Sequence, residues 1–389
     1  MSRPGSRVSS SSSSFSRTSC RTRPKRARST YGYTRSSLCV VLTAIINTAL
    51  LFAAVMVAIL DAAEAADVTL DEVFKHENMT SLTDRRSSHG DLAETGEKLC
   101  DRNPVRNRFV NEADYDYTCK EIEEMASDMT LIGNGYVREV YLAEYWGEKV
   151  VVKVLRPVPD LRGQKRHLEM HRREILTLDT LRGHPNIVNM LGLCGTTIVT
   201  EYFEDSFLAR IHRHGQELSI RQMVSLSLDV TRGMQAMHEI VGGVHLDMKP
   251  MQLLIDNNGH GKVNDFNSVH LMRSRADVPG EFCPTHSAKP VRMIPWRSPE
   301  NVAGELVTGK TDIYALGMIF YSLINEDPPY ETSESFKLAL INKTRPKIDP
   351  SWHEGFMKII QAMWRELPED RPSARQVVAM LGALLRELS

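Results

Sequence analysis

Four polar side chains within nineteen residues define the chemistry open to this chain: Asp247, Lys249, Gln252 and Asp265. Two carboxylates, an amide oxygen and an ammonium can gather a hard cation, a phosphate and a hydroxyl nucleophile in one place, which is a phosphoryl-transfer site in outline. Whether they meet depends on the stretch between them. Leu253-Leu254-Ile255 and the apolar run around Val263 flank Asn257-Asn258-Gly259-His260-Gly261, a turn signal that predicts an antiparallel hairpin. A hairpin brings its open ends together, so Gln252 and Asp265 should lie side by side, with Asp247 and Lys249 on the loop leading in.

The elements that must carry this loop are readable on either side of it. From about Thr130, short runs rich in β-formers at 131–135, 137–142 and 149–155 predict strand, turn, strand, turn, strand, with Gly147 at the second turn. Residues 167–181 have helical periodicity, and Gly183-His184-Pro185 should end that helix. Strands at 187–193 and 198–202 would complete a small sheet, and beyond Ser219 the chain reads as mostly helical. The expectation is a small β-rich lobe, a larger helical lobe and a cleft between them, where ligands usually bind.

These motifs together resemble the catalytic core of eukaryotic protein kinases. His245-Leu246-Asp247-Met248-Lys249-Pro250-Met251-Gln252 stands where that family has H-R-D-L-K-P-x-N, and Asp265-Phe266-Asn267 where it has D-F-G. Residues 132–140 resemble its Gly-rich loop, so Ile132, Gly133, Gly135 and Val140 are implied to enclose ATP, with Arg138 in the place of the third glycine. The resemblance makes Lys153 the lysine that holds the α- and β-phosphates and Glu174 its helical counter-charge. It places Glu201 and Phe203 at the hinge that offers backbone groups to adenine.

It further implies Asp247 as the base, Lys249 as the group that neutralises charge on the transferring phosphoryl, and Gln252 with Asp265 as ligands of Mg²⁺. Lys249, two positions after the aspartate, fits the Ser/Thr-directed pattern. Ser298-Pro299-Glu300 resembles the end of the activation segment, Arg371 the arginine that pairs with its glutamate, and Asp312 the start of the helix that anchors the catalytic loop. The resemblance runs from about residue 128 to 388. It predicts an α+β, two-lobed kinase-like fold and an ATP- and Mg²⁺-dependent kinase acting on Ser or Thr of a protein substrate.

Four departures carry chemical consequences. Arg138 replaces a glycine of the phosphate cradle. Leu246 removes an arginine that in many kinases clamps a phosphorylated activation segment. Gln252 keeps the amide oxygen that a hard cation wants but sets it about 1.5 Å further out. Asn267 replaces a glycine with the side chain that best tolerates positive φ. They motivate a second reading, a pseudokinase that binds nucleotide or acts as a scaffold without turnover. A variant of the enzyme reading has a non-protein acceptor such as a sugar hydroxyl.

The remainder of the chain reads differently. The formal charge is near balance, 48 basic against 49 acidic residues, and gives no bias toward nucleic acid. Residues 1–37 contain Arg and Lys but no acid, and read as a disordered, basic, Ser/Arg-rich tail. Leu38 to Leu60 is uncharged throughout and as a helix would reach roughly 34 Å, enough to cross a bilayer core of about 30 Å. With basic residues before it and acids after it, it predicts a single-pass type II signal-anchor, a cytoplasmic tail, and a kinase-like domain in the secretory-pathway lumen or outside the cell. A cleaved signal peptide ending near Ala62–Ala66 and an organelle transit peptide stay open as alternatives. Residues 61–127 read as a stem, in which Cys100 and Cys119 can form a disulfide and Asn78-Met79-Thr80 is an N-glycosylation sequon, as is Asn342-Lys343-Thr344.

Overall fold

The computed structural model describes residues 100–389 apart from 213–217 and 287–293. All of these belong to one unit of the chain, His89–Ser389. Helix α1 (Cys119–Met125) is started by a capping box in which Thr118 and Glu121 satisfy each other's backbone amides. Strands β1 (Thr130–Asn134), β2 (Arg138–Tyr145) and β3 (Glu148–Leu155) follow. β2 and β3 turn on Trp146 and Gly147, both at positive φ (54° and 82°), the hairpin geometry that matches strand twist. Helix α2 (Leu161–Thr180) begins where the Asp160 carboxylate accepts the Gly163 amide, six residues earlier than its apolar periodicity suggests. Strands β4 (Met190–Cys194) and β5 (Thr197–Glu201) complete an antiparallel sheet in the order β1-β2-β3-β5-β4.

Register decides what this sheet presents. Lys153 lies opposite Val140 on β2 and Ile198 on β5, so the three side chains leave the same face. The opposite face carries Ala143, Val150, Val152 and Val199, buried against Ile122 and Met125 of α1.

The larger lobe contains α3 (Phe207–Ile211), α4 (Ile220–Ala236), the hairpin β6 (Leu253–Ile255) and β7 (Gly261–Val263), and helices α5 (Pro299–Ala303), α6 (Gly309–Asn325), α7 (Ser333–Ile341), α8 (Glu354–Met363) and α9 (Ala374–Glu387). Every residue of α6 from Thr311 to Leu323 is buried, which makes it the axis around which α4, α8 and α9 pack. The expected hairpin is present, with Leu253 opposite Val263 and Ile255 opposite Gly261. Gly259 takes φ 82° in its turn, and the Asp256 carboxylate accepts the amides of Asn258 and His260.

Residues ahead of the sheet are fastened to both lobes. Cys100 and Cys119, expected as partners of each other, pair elsewhere: Cys100 with Cys283 and Cys119 with Cys194. Packing of residues far apart in sequence decides this, and spacing along the chain does not record it. The buried Asn103 amide donates to the Val241 and Met272 carbonyls at 2.9 and 2.8 Å, and the Tyr115 hydroxyl donates to Asp179 at 2.7 Å.

The expectation of a transmembrane helix behind the two-lobed fold is corrected. Among the described residues no helix is long and apolar enough to cross a membrane. α2, the longest at 20 residues, carries charges along its length from Arg162 to Asp179, and the apolar α6 has only 17. The segment 38–60, to which that expectation applied, lies outside the described residues, as do the tail and Asn78. The single-pass type II assignment, the membrane as a partner and the lumenal or extracellular placement rested on that helix and are withdrawn with it.

Candidate active site

The loop leading into the hairpin is held from below by α6. The Asp312 carboxylate, at the start of that helix, accepts the His245 amide at 2.8 Å, the Leu246 amide at 3.0 Å and a His238 ring nitrogen at 2.9 Å. Leu246 takes φ 62°, a conformation costly for a branched side chain, so these bonds hold the turn that delivers Asp247. Asp247 accepts from the Lys249 ammonium at 2.7 Å and from the Gln252 amide nitrogen at 3.4 Å. The same amide nitrogen reaches Asp265 at 2.8 Å. The structure therefore brings together all four residues with which the sequence reading began.

Asp265 is also in the left-handed region, at φ 63°, and its other oxygen accepts from the Asn267 amide. Leu246 brings no charge to the activation segment. Instead Arg297 donates to the Leu246 carbonyl at 3.4 Å and to Asn301 at 2.7 Å, and lies 3.8 Å from Asp247. Burial lowers the pKa of this guanidinium, and the Asp247 carboxylate opposes the shift. Glu300 and Arg371, expected as a pair, form a buried two-bond bridge at 2.7 and 2.9 Å.

Across the cleft, Lys153 is 5% exposed and donates to Glu174 of α2 at 3.2 Å and to the Asn264 amide oxygen at 3.0 Å. Glu174 is wholly buried. Burial alone would raise its pKa, but the charges of Arg138 and Lys153 outweigh that and hold its carboxyl well below the usual range.

Gly133 lies opposite Val140 in the β1–β2 hairpin, and the Gly135 amide closes the tip on the Arg138 carbonyl at 2.8 Å. A β-carbon at Gly135 would come within 3.3 Å of that carbonyl, so the tip suits glycine. Ile132 is half exposed, and Tyr136 stands out at the tip. At the hinge, the Glu201 side chain is held by Asn189 at 2.9 Å and Lys262 at 3.3 Å, and the Lys262 ammonium lies 5.4 Å from the Phe203 ring centre. The Glu201 amide is already spent on the Asn189 carbonyl, so it has no hydrogen left for a base.

The residues present fit a nucleotide and a hard cation. Asp247 and Asp265 supply carboxylate oxygens, the ligand type Mg²⁺ prefers, and among the described residues no cluster of His, Cys, Asp and Glu suggests a softer metal. The Gln252 amide turns its nitrogen to the two carboxylates, and the same group inverted offers oxygen. The Lys153 ammonium, held by Glu174 and Asn264, is a cation of the kind a phosphate group would meet. Two participants escaped the sequence reading. Asn264, on the strand end before Asp265, holds Lys153, and strand alternation from the buried Val263 was the signal that it faces the cleft. Arg297 had no such signal.

The chain is also similar to known proteins. The family described as protein kinase domain matches residues 126–381. A Dictyostelium discoideum protein named "Probable serine/threonine-protein kinase" is 30% identical over 261 residues, which are 65% of this chain and 27% of that protein. A dual specificity protein kinase of the same organism is 28% identical over 269 residues, 65% of this chain and 34% of that one. A serine/threonine-protein kinase of Arabidopsis thaliana is 24% identical over 265 residues, 65% of this chain and 44% of that one. The chain thus spans between a quarter and a half of the length of these relatives.

Proposed function

The chain belongs to the protein kinase family, and from that premise we propose that it transfers the γ-phosphoryl group of Mg·ATP to a Ser or Thr hydroxyl of a protein, through a domain running from about 128 to 388. The observation that carries the proposal is the Gln252 amide in reach of both Asp265 and Asp247, with the Lys153–Glu174 pair facing it across the cleft.

In this reading Gly133 and Gly135 let the β1–β2 hairpin close over the phosphates, with Ile132 and Val140 beside it. Lys153, steered by Glu174, holds the α- and β-phosphates. Glu201 and Phe203 border the adenine. Gln252 and Asp265 would hold Mg²⁺, which when bound shields the charge of the phosphates. Asp247 accepts a hydrogen bond from the acceptor hydroxyl and orients it for in-line attack, and Lys249, 2.7 Å from Asp247, meets the charge on the transferring group. The full chain with Mg²⁺ and labelled ATP should phosphorylate a mixed protein substrate, and Asp247→Asn should lower the rate by roughly 10²-fold or more. Turnover that survives this substitution unchanged would remove Asp247 from the chemistry.

A second reading has the same cleft bind nucleotide without turnover. It is favoured by the two amides, of Gln252 and Asn267, that occupy both oxygens of Asp265. Saturable ATP binding with no transfer to any Ser, Thr or sugar hydroxyl would select it.

A further inference from the structure

Arg138, which interrupts the glycine pattern, does not point into the phosphate cradle. Its side chain is 4% exposed and turns under the sheet toward α2. The guanidinium donates to Glu174 Oε2 at 2.8 Å, to the Thr196 carbonyl at 3.2 Å and to the Lys153 carbonyl at 3.4 Å, and it meets His171 Nδ1 at 2.7 Å. A guanidinium only donates, so Nδ1 must accept. His171 Nε2 therefore carries the proton and donates it to the Gly195 carbonyl at 3.1 Å. Both ring nitrogens are committed and the imidazole is neutral. Burial, followed by the charge of Arg138, pushes its pKa down to about 4.

The charge balance is unusual for a buried group. One carboxylate, Glu174, faces two cations, because Lys153 takes its other oxygen at the longer distance of 3.2 Å. The two cations differ in rigidity. Arg138 spreads its contacts over α2, β3 and the β4–β5 turn, whereas Lys153 has one carboxylate oxygen and one neutral amide, that of Asn264. A planar fork with several fixed acceptors is pre-organised, and an ammonium on a flexible stem is not.

We propose that Arg138 is a positioning residue: it fastens Glu174 and helix α2 to the sheet, so that Lys153 is freed from structural duty and its ammonium is left for an anion. Without Arg138, Lys153 would be the one cation on Glu174 and would have to serve both purposes. Here the purposes are divided, and the site carries one buried positive charge in excess, which a phosphate group is suited to meet. The phosphate half of the proposal rests on the reading of Lys153 given above; the fastening half does not.

The test compares Arg138→Met with Lys153→Met and Arg138→Lys in the full chain, by amide hydrogen exchange over residues 161–180 and by Mg·ATP affinity. Losing a buried, charge-assisted bond of this kind should lower the protection of α2 in Arg138→Met by roughly tenfold or more, while Lys153→Met leaves it near the parent value and Arg138→Lys recovers part of it. Equal loosening by the two Met variants, or unchanged protection in Arg138→Met, would overturn the proposal. In affinity, Lys153→Met should abolish binding and Arg138→Met should weaken it roughly tenfold even at temperatures where the variant is fully folded. A lower melting temperature with unchanged affinity would reduce Arg138 to a purely structural role. If the parent chain binds no ATP, the functional reading fails, and the exchange comparison still decides whether Arg138 alone fastens α2.

Discussion

Two buried residues on one turn of α2 make the folded protein sensitive to acid. His171 has its pKa depressed from an ordinary 6.5 to about 4, so below pH 6.5 the unfolded chain takes up a proton that the folded one refuses. Stability should be complete above that value and fall by about 3 kcal/mol on going to pH 4, with the depressed Glu174 carboxyl adding to the loss below its ordinary 4.5. Thermal melting from pH 7.5 to 4 measures this, and a flat profile would contradict the neutral imidazole. Gln252 makes its own prediction at this scale. Its backbone position lets the longer side chain reach Asp265 at 2.8 Å and Asp247 at 3.4 Å, so Gln252→Asn should withdraw the amide from both and lower turnover roughly tenfold, with a raised Mg²⁺ requirement. An unchanged rate and metal dependence would show that the reach is immaterial. The acids, the lysines and Gln252 were legible because their types and spacing fall in a known order. The inward turn of Arg138 was not, because a side chain's direction depends on what packs around it.

At the scale of elements, the hairpin β6–β7 was readable from its turn residues, and the sheet from its alternating apolar runs. Helix α1 was missed although Thr118 and Glu121 spell its capping box, since only Ile122 and Met125 among its seven residues supply a buried apolar face. That face matters, because the sheet would otherwise expose Val150 and Val152. The segment leading into α1 pairs so closely with β4 that a β-carbon at Gly192 would lie 2.4 Å from the Tyr117 carbonyl oxygen, a backbone atom that cannot swing aside. Gly192→Ala should therefore push this segment from the sheet and cost about 1–3 kcal/mol, seen as a lower denaturation midpoint. A midpoint equal to that of the parent would mean the packing there is loose.

For the whole molecule, the bond from Cys100 to Cys283 joins the chain ahead of the sheet to the activation segment, which the pairing of Cys100–Asp101 with Ser274–Arg275 and the Asn103 contacts reinforce. Leu246 offers no arginine to a phosphorylated segment, and this covalent anchor holds the segment instead. On the chain-entropy account, closing a separation of 183 residues is worth up to about 5 kcal/mol, so Cys283→Ser or a thiol reductant should lower the melting temperature and open the segment near 270–285 to protease. Unaltered melting and cleavage would show the anchor to be idle. None of this was legible in cysteine spacing, which favoured a local pair. The second cross-link, Cys119 to Cys194, lies within the span enclosed by the first. A single backbone cut anywhere from Asp101 to Phe282 thus cannot set a fragment adrift: the nicked polypeptide should migrate as one band on a denaturing gel and separate into two only once its thiols are restored.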